Sequence, residues 1–392
     1  MKKGGPCGRA SYKVRLSKEM NSLAKRPWLR LTLILLLDLL ALGACMITFA
    51  LFHHVLPKAA EIRPITDPDR PAVFDHSGED PDETEEERLA RLTGEYLSVK
   101  RYESSPLPAR TVSELPGYHG DGIDLFLRKV EYGLGEEKVT YYAADLFLDS
   151  VDLLHGSVAV KDGKVSTDYV YNQATACNAL FAVSGDYFKN SEVGLAIRDG
   201  ILYRNETTKN DVCLLKYDGS MEIIHGYNKA YLDDIGRRVW QAWSFGPSLL
   251  DDDGNVITDN NDFNVHSTGG TFHNTNMESE NGVYAKNPRN LIGCVEAGHY
   301  VIILVDGRDP GYSCGVTFLD ESQLAYDEGC TVAYNLDGGR SAMMVFEGAL
   351  VDKPYKDGRP ISDIIYLLNP VKEPVSGDTS SSGDASGASA DK

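Results

Sequence analysis

Two Asp-Gly dipeptides restrict the possible folds of this chain more than any other local signal. Asp199-Gly200 stands between Val193-Gly-Leu-Ala-Ile197 and Ile201-Leu-Tyr203, and Asp218-Gly219 between Val212-Cys-Leu-Leu-Lys-Tyr217 and Met221-Glu-Ile-Ile224. Asp-Gly supplies the positive φ angles of a tight turn, so each reads as an antiparallel hairpin. The short, branched runs Tyr300–Val305 and Thr331–Asn335 read as interior strands. Between them Phe318–Glu328 has the pattern of a helix, with Thr317 as N-cap and Gly329 as its stop. This order predicts an α+β fold: a mixed β-sheet core with flanking helices and polar loops gathered at one sheet end.

The ends of the chain differ from this core. Residues 1–30 carry nine Lys or Arg against one acid, although the whole chain has a net charge of −19. Leu31–Phe52 is an apolar run of the length that crosses a bilayer as a helix, and it exceeds the hydrophobic region of a cleaved signal peptide. The expectation is a cytoplasmic basic segment over 1–30 and a transmembrane helix over 31–52. The positive flank holds the N-terminus in the cytoplasm and places everything after Phe52 outside it, at the cell membrane. Asp38 within the span reads as an acid tolerated among many leucines. Residues 53–92, with the acidic run Glu79–Glu87, read as a stalk; 93–370 as the folded domain; and 371–392, rich in Ser, Gly and Asp, as a disordered tail.

Composition also excludes some functions. The acidic part beyond the anchor has no Lys and Arg stripe of the sort a phosphate backbone requires, so no nucleic-acid partner is expected. Beyond the anchor, Cys177, Cys213, Cys294, Cys314 and Cys330 show no C-x-x-C spacing. They read as buried thiols, and a zinc site is not expected.

Three loop motifs carry polar chemistry at the ends of apolar runs: Ser184-Gly-Asp-Tyr-Phe188, Asp306-Gly-Arg308 and Asn335-Leu-Asp-Gly-Gly-Arg-Ser341. Asp306 and Arg308 are too close along the chain to pair ideally, so each reaches elsewhere, and the Arg fork suits a phosphate or carboxylate. Asn335 and Asp337 alternate on one strand face, while Gly338-Gly339 lets the backbone approach a ligand. A salt bridge for the first of these two and a plain hairpin turn for the second remain open on residue type alone.

Together with Tyr141–Asp145, Phe245-Gly-Pro-Ser-Leu249 and Asn287-Pro-Arg289, these motifs occur in an order that resembles the phosphodiester glycosidase family over roughly residues 139–369. The chain departs from the family's pattern at Ser184, Asn290, Arg340 and Ala342, while its Asp and Arg positions are kept. The resemblance implies a hydrolase acting on a sugar-1-phosphodiester of the GlcNAc-1-phosphate type, here in an envelope glycopolymer or other glycan. Under it Asp186, Asp306 and Asp337 are candidate catalytic carboxylates. Arg289, Arg308, Asn335, Gly338 and Gly339 are candidate substrate-binding residues. The leaving phosphate is already anionic, so charge stabilisation outweighs proton donation, and the carboxylates act at the anomeric carbon. No cofactor is predicted. Two alternatives stand beside this reading: a phosphodiesterase in which the three Asp hold a divalent cation, and a non-catalytic glycan-binding or exopolysaccharide assembly factor.

Overall fold

The computed structural model describes residues 27–50, 62–65, 73–76, 80, 82–187, 189, 191–266 and 282–370. The chain divides into two units, Met1–Ala60 and Glu61–Lys392. In the first, Pro27–Ala50 is one helix, with Leu31, Ile34, Leu39, Leu40 and Leu42 exposed. Among the described residues no helix is long and apolar enough to cross a membrane, and several side chains of Pro27–Ala50 lie outside the description. The expected tail and most of the basic segment also lie outside it.

Among the described residues the second unit is built from three antiparallel sheets of five or six strands, with a small two-stranded ribbon, Val160–Lys161 and Lys164–Val165, beside them. The first runs in the order Val332–Asn335, Arg289–Glu296, His299–Val305, Val139–Leu148, Ile123–Tyr132, Thr111–Gly120. Both faces of its central strands are buried. Ile302 and Leu304 face one core, while Val301, Ile303 and Val305 face another, which is why these strands read as continuous apolar runs. Against one face lie Phe181, Val183, Met344 and Ile365 of a second sheet, ordered Ala349–Leu350, Met344–Phe346, Ala179–Ser184, Asp363–Leu368, His155–Val158. Cys213, Leu215 and Trp243 of the third sheet, which holds both Asp-Gly hairpins, join that core. Arg198 pairs with Ile201 and Leu215 with Met221 across the two turns, as the dipeptides predict. Against the other face lies the helix Phe318–Asp327, whose Thr317 and Asp320 form a reciprocal capping box.

The strand Arg289–Glu296 inserts between His299–Val305 and Val332–Asn335, so the chain leaves the sheet at Val305, crosses the helix and returns one strand further on. The α+β expectation therefore holds in its sheet-dominated form. The composition-based stalk differs in one respect: Glu85–Val99 is a helix. Glu85, Glu86 and Glu87 occupy its first turn, where acids favour the helix dipole, Thr84 and Glu87 form its capping box, and Leu92 and Tyr96 pack beside Phe147. Like-charge repulsion in the acidic run is thus offset locally at a helix start. Beneath this helix Lys100 and Arg128 share Asp145 and Glu328 at 2.7–2.9 Å, with His299 on Asp145 at 3.0 Å, all buried. The cysteines of this unit are free, with Cys213, Cys294 and Cys330 buried.

Candidate functional site

The site is assembled at one end of the first and second sheets by backbone contacts between distant segments. The Asp337 N–H donates to the Gly185 carbonyl (3.1 Å), and the Gly185 N–H to that of Asp363 (3.1 Å). Gly339 N–H donates to Pro288 O (2.8 Å), and Asn335 N–H to Pro247 O (3.0 Å), beside the cis Gly246–Pro247 bond. Gly307 and Gly338 are glycines because of crowding: a Cβ would lie 2.7 Å from Pro288 N at the first and 2.6 Å from Pro288 O at the second. The three motifs, with the 245–247 and 287–290 segments, thus meet at one place.

Asp337 is buried there, with both carboxylate oxygens accepting from Arg359 Nη2 (3.1 and 3.3 Å). Burial pushes its carboxyl up to about 6 against the pull of Arg359, with Asp186 adding to the rise. Arg359 Nε also donates to Ser341 Oγ (2.6 Å), and its guanidinium lies over the Tyr187 ring at 5.2 Å. Arg308 sits at φ 60, a left-handed conformation that costs a non-glycine residue about 1 kcal/mol or more. Its guanidinium is held by Asn287 Oδ1 (3.0 Å from Nε, 2.5 Å from Nη2), lies 5.3 Å from the Tyr355 ring centroid and faces Gly339. Partial burial and the positive field of Arg359 lower its proton affinity.

The remaining expected residues fall into supporting positions or separate groups. Asp186 is buried, accepts from Ser244 N–H (2.8 Å) and lies 3.6 Å from Arg198, which pairs with Asp363 at 2.7 Å. Asp363 also accepts from Asp186 N–H (3.0 Å). Asp306 turns toward Tyr312, whose hydroxyl donates to it (2.7 Å), and the Lys353 N–H; burial pushes it to about 6. Asn335 donates to Gly246 O (2.6 Å), and its buried Oδ1 has no hydrogen-bond partner among the described residues. The Arg289 backbone is at the site, but its guanidinium points to Val283, Ala285 and Val316 carbonyls and to Phe318, with Glu321 3.8 Å away. Among the described residues no three His, Cys, Asp or Glu side chains are grouped as metal ligands.

Arg359 is the residue that motif reading misses. A signal for it exists, because Asp357-Gly358-Arg359 repeats the Asp306-Gly307-Arg308 triplet. Both triplets deliver an Arg to the same carboxylate-lined loop cluster, one through a left-handed Arg and one through a left-handed Asp-Gly pair.

Antiparallel sheets with a loop-built site, in which a buried carboxylate pairs with Arg359 while a second guanidinium, Arg308, faces the nearby Gly339, define a class of domain suited to anionic ligands. Residues 177–368 match the model of the phosphodiester glycosidase family. The fold is similar to that of the zebrafish N-acetylglucosamine-1-phosphodiester alpha-N-acetylglucosaminidase catalytic domain auto-inhibited by pro-peptide, at 17% identity and a TM-score of 0.50, covering 70% of this chain and 92% of that one. An uncharacterized SPbeta prophage-derived protein of Bacillus subtilis, YomE, is 30% identical over 217 residues, 53% of this chain. The chain spans about a third (31%) of that relative's length.

Proposed function

We propose that this chain is a membrane-anchored, extracytoplasmic phosphodiester glycosidase that hydrolyses a GlcNAc-1-phosphodiester-type bond in an envelope glycopolymer or glycan. The observation that carries this reading is the buried Asp337 carboxylate paired with Arg359, two residues before Gly339, which Arg308 faces. The two Arg receive the phosphate and neutralise charge as the bond from C1 to the phosphate oxygen breaks. Asp337 acts at the anomeric carbon, as nucleophile or as base for water, and must be ionised to do either. Water supplies the new C1 hydroxyl, and the phosphate monoester leaves. Asp186, Asp363 and Arg198 hold the strand end on which this geometry rests, Asp306 supports the 306–308 turn, and the Asn335–Gly339 segment reads the sugar. The anchor rests on the sequence, in which the apolar run Leu31–Phe52 follows a basic flank.

The test is incubation of the full chain in detergent with a GlcNAc-1-phosphodiester in ¹⁸O-labelled water. Label in the sugar product, lost in Asp337→Asn, is expected. Label in the phosphate would move the cut to phosphorus, and no product with retained binding would make the protein a glycan-binding factor. Extraction of the chain from membranes by alkaline carbonate would overturn the anchor.

A further inference from the structure

We infer that the site contains a second anion subsite, formed by Arg340 and Lys356, and that its substrate carries another phosphate beside the one that is cleaved. This inference rests on the glycosidase reading above and names the substrate class of that site.

The chain has 58 acids against 39 Lys and Arg, and several of its surface cations pair with a carboxylate. Lys216 pairs with Glu222, Lys229 with Glu206, Lys353 with Asp309 and Arg91 with Glu83. Around Tyr355 the pattern changes. Arg308 is held by an amide oxygen, Arg340 by the Gly358 carbonyl (2.8 Å), and Lys356 lies 5.1 Å from the Tyr355 ring centroid. Among the described residues none of these three forms an ion pair with a carboxylate. Arg359 adds a fourth positive group, which the Arg308 side chain feels as repulsion. Such a cluster is self-repelling unless an anion fills it.

The backbone fixes the cluster in place. Lys356 and Asp357 have φ of 51 and 57, and Gly358 has φ 75, so three successive residues are left-handed. Strain of this sort persists where the surroundings over-determine it, and here it turns the 355–359 loop so that the Gly358 carbonyl meets Arg340. Arg340 follows Gly339, the residue facing Arg308, so the two guanidinium groups border the same stretch of backbone. Arg308 and Arg359 address the phosphate at C1, while Arg340 and Lys356, both exposed, lie further out along the rim. A phosphate held there belongs either to the next unit of a sugar-phosphate polymer or to a pyrophosphate leaving group. The shared chemistry is a dianionic or repeating phosphate aglycone.

The experiment uses the full chain in detergent and three substrates: GlcNAc-1-phosphomethyl with one phosphate, GlcNAc-1-phosphoglycerol-3-phosphate with two spaced phosphates, and UDP-GlcNAc with a pyrophosphate. A substrate with a second phosphate is expected to exceed the one-phosphate substrate in kcat/KM by about tenfold, the product of two partly exposed charge contacts worth a few-fold each. R340A/K356A is expected to abolish that preference through KM, leaving the one-phosphate substrate within about twofold, and 0.5 M salt should mimic it. Preference confined to the glycerol compound assigns a spaced phosphodiester polymer, and preference confined to UDP-GlcNAc assigns a pyrophosphate. Equal kcat/KM for all three in the wild type, or equal losses for all three in the double variant, overturns the subsite. If the wild type cleaves none of them, the glycosidase reading fails by itself. The subsite is then read by calorimetric binding: tighter binding of a two-phosphate compound that R340A/K356A removes supports it, and equal binding overturns it.

Discussion

Replacing Arg359 by Gln tests whether Asp337 is the group whose ionisation governs the reaction. Both Asp337 oxygens lie 3.1–3.3 Å from one Arg359 nitrogen, and two unit charges about 4 Å apart attract by about 4 kcal/mol at an effective permittivity of ~20. The Arg359 side chain is 37% exposed, so water screening reduces this to roughly 1–1.5 kcal/mol. One pKa unit corresponds to about 1.36 kcal/mol, so losing the cation raises Asp337 by about one unit, from about 6 to about 7. The ionised carboxylate is the active form, hence kcat/KM falls tenfold per unit below the pKa. The acid limb of the log kcat/KM profile therefore moves upward by about one pH unit in Arg359→Gln, and less at 0.5 M salt. The assay is initial-rate hydrolysis of GlcNAc-1-phosphomethyl from pH 4.5 to 8.5. A variant slower at every pH with its acid limb still near 6 would show that Asp337 is not the titrating group, and the division of labour between Asp337 and Arg359 would be abandoned.

Other predictions bear on separate parts of the molecule. Arg308→Lys keeps the charge but loses the fork held by Asn287, and kcat is expected to fall by about 10²-fold without restoration at higher substrate; activity within threefold of wild type would refute its role. Burial pushes Glu321 from 4.5 up to about 8, so the folded state keeps a proton that the unfolded chain has released between those values. Stability therefore falls as pH rises through that window, and Glu321→Gln should flatten the decline of Tm between pH 5 and 8. Arg128→Met leaves Asp145 and Glu328 buried with Lys100 as their remaining Lys or Arg partner among the described residues, and a urea midpoint shift equivalent to about 3–5 kcal/mol is expected.

Local chemistry explains what could be read before the structure was known. Asp199, Gly200 and Gly219 take up the positive φ of their turns, and Thr317 and Asp320 cap their own helix, so those elements followed from neighbours in sequence. The docked helix Glu85–Val99 was hidden because its first turn reads as a charge run, and its stability depends on Leu92 and Tyr96 meeting Phe147, some 50 residues away. At the site, the same limit applied. Asp186 and Arg289 stood in the expected motifs, but which way each points is decided by partners such as Ser244, Val283 and Phe318 that no local pattern names. Arg359 was legible only as an echo of the 306–308 triplet, and the meaning of that echo came from the loop that brings Arg359 to Asp337 while Arg308 faces Gly339.

The backbone bonds that run from Asp363 through Gly185 to Asp337 also bear on how such a domain could change its preferences. Main-chain donors and acceptors are present whatever side chains occupy those positions, so the anchoring of the carboxylate does not depend on the identity of the residues at the rim. Tyr187, Arg340, Tyr355 and Lys356 can be exchanged without cutting that chain of bonds. A library confined to those four positions would vary what is recognised while leaving the reacting end of the sheets in register.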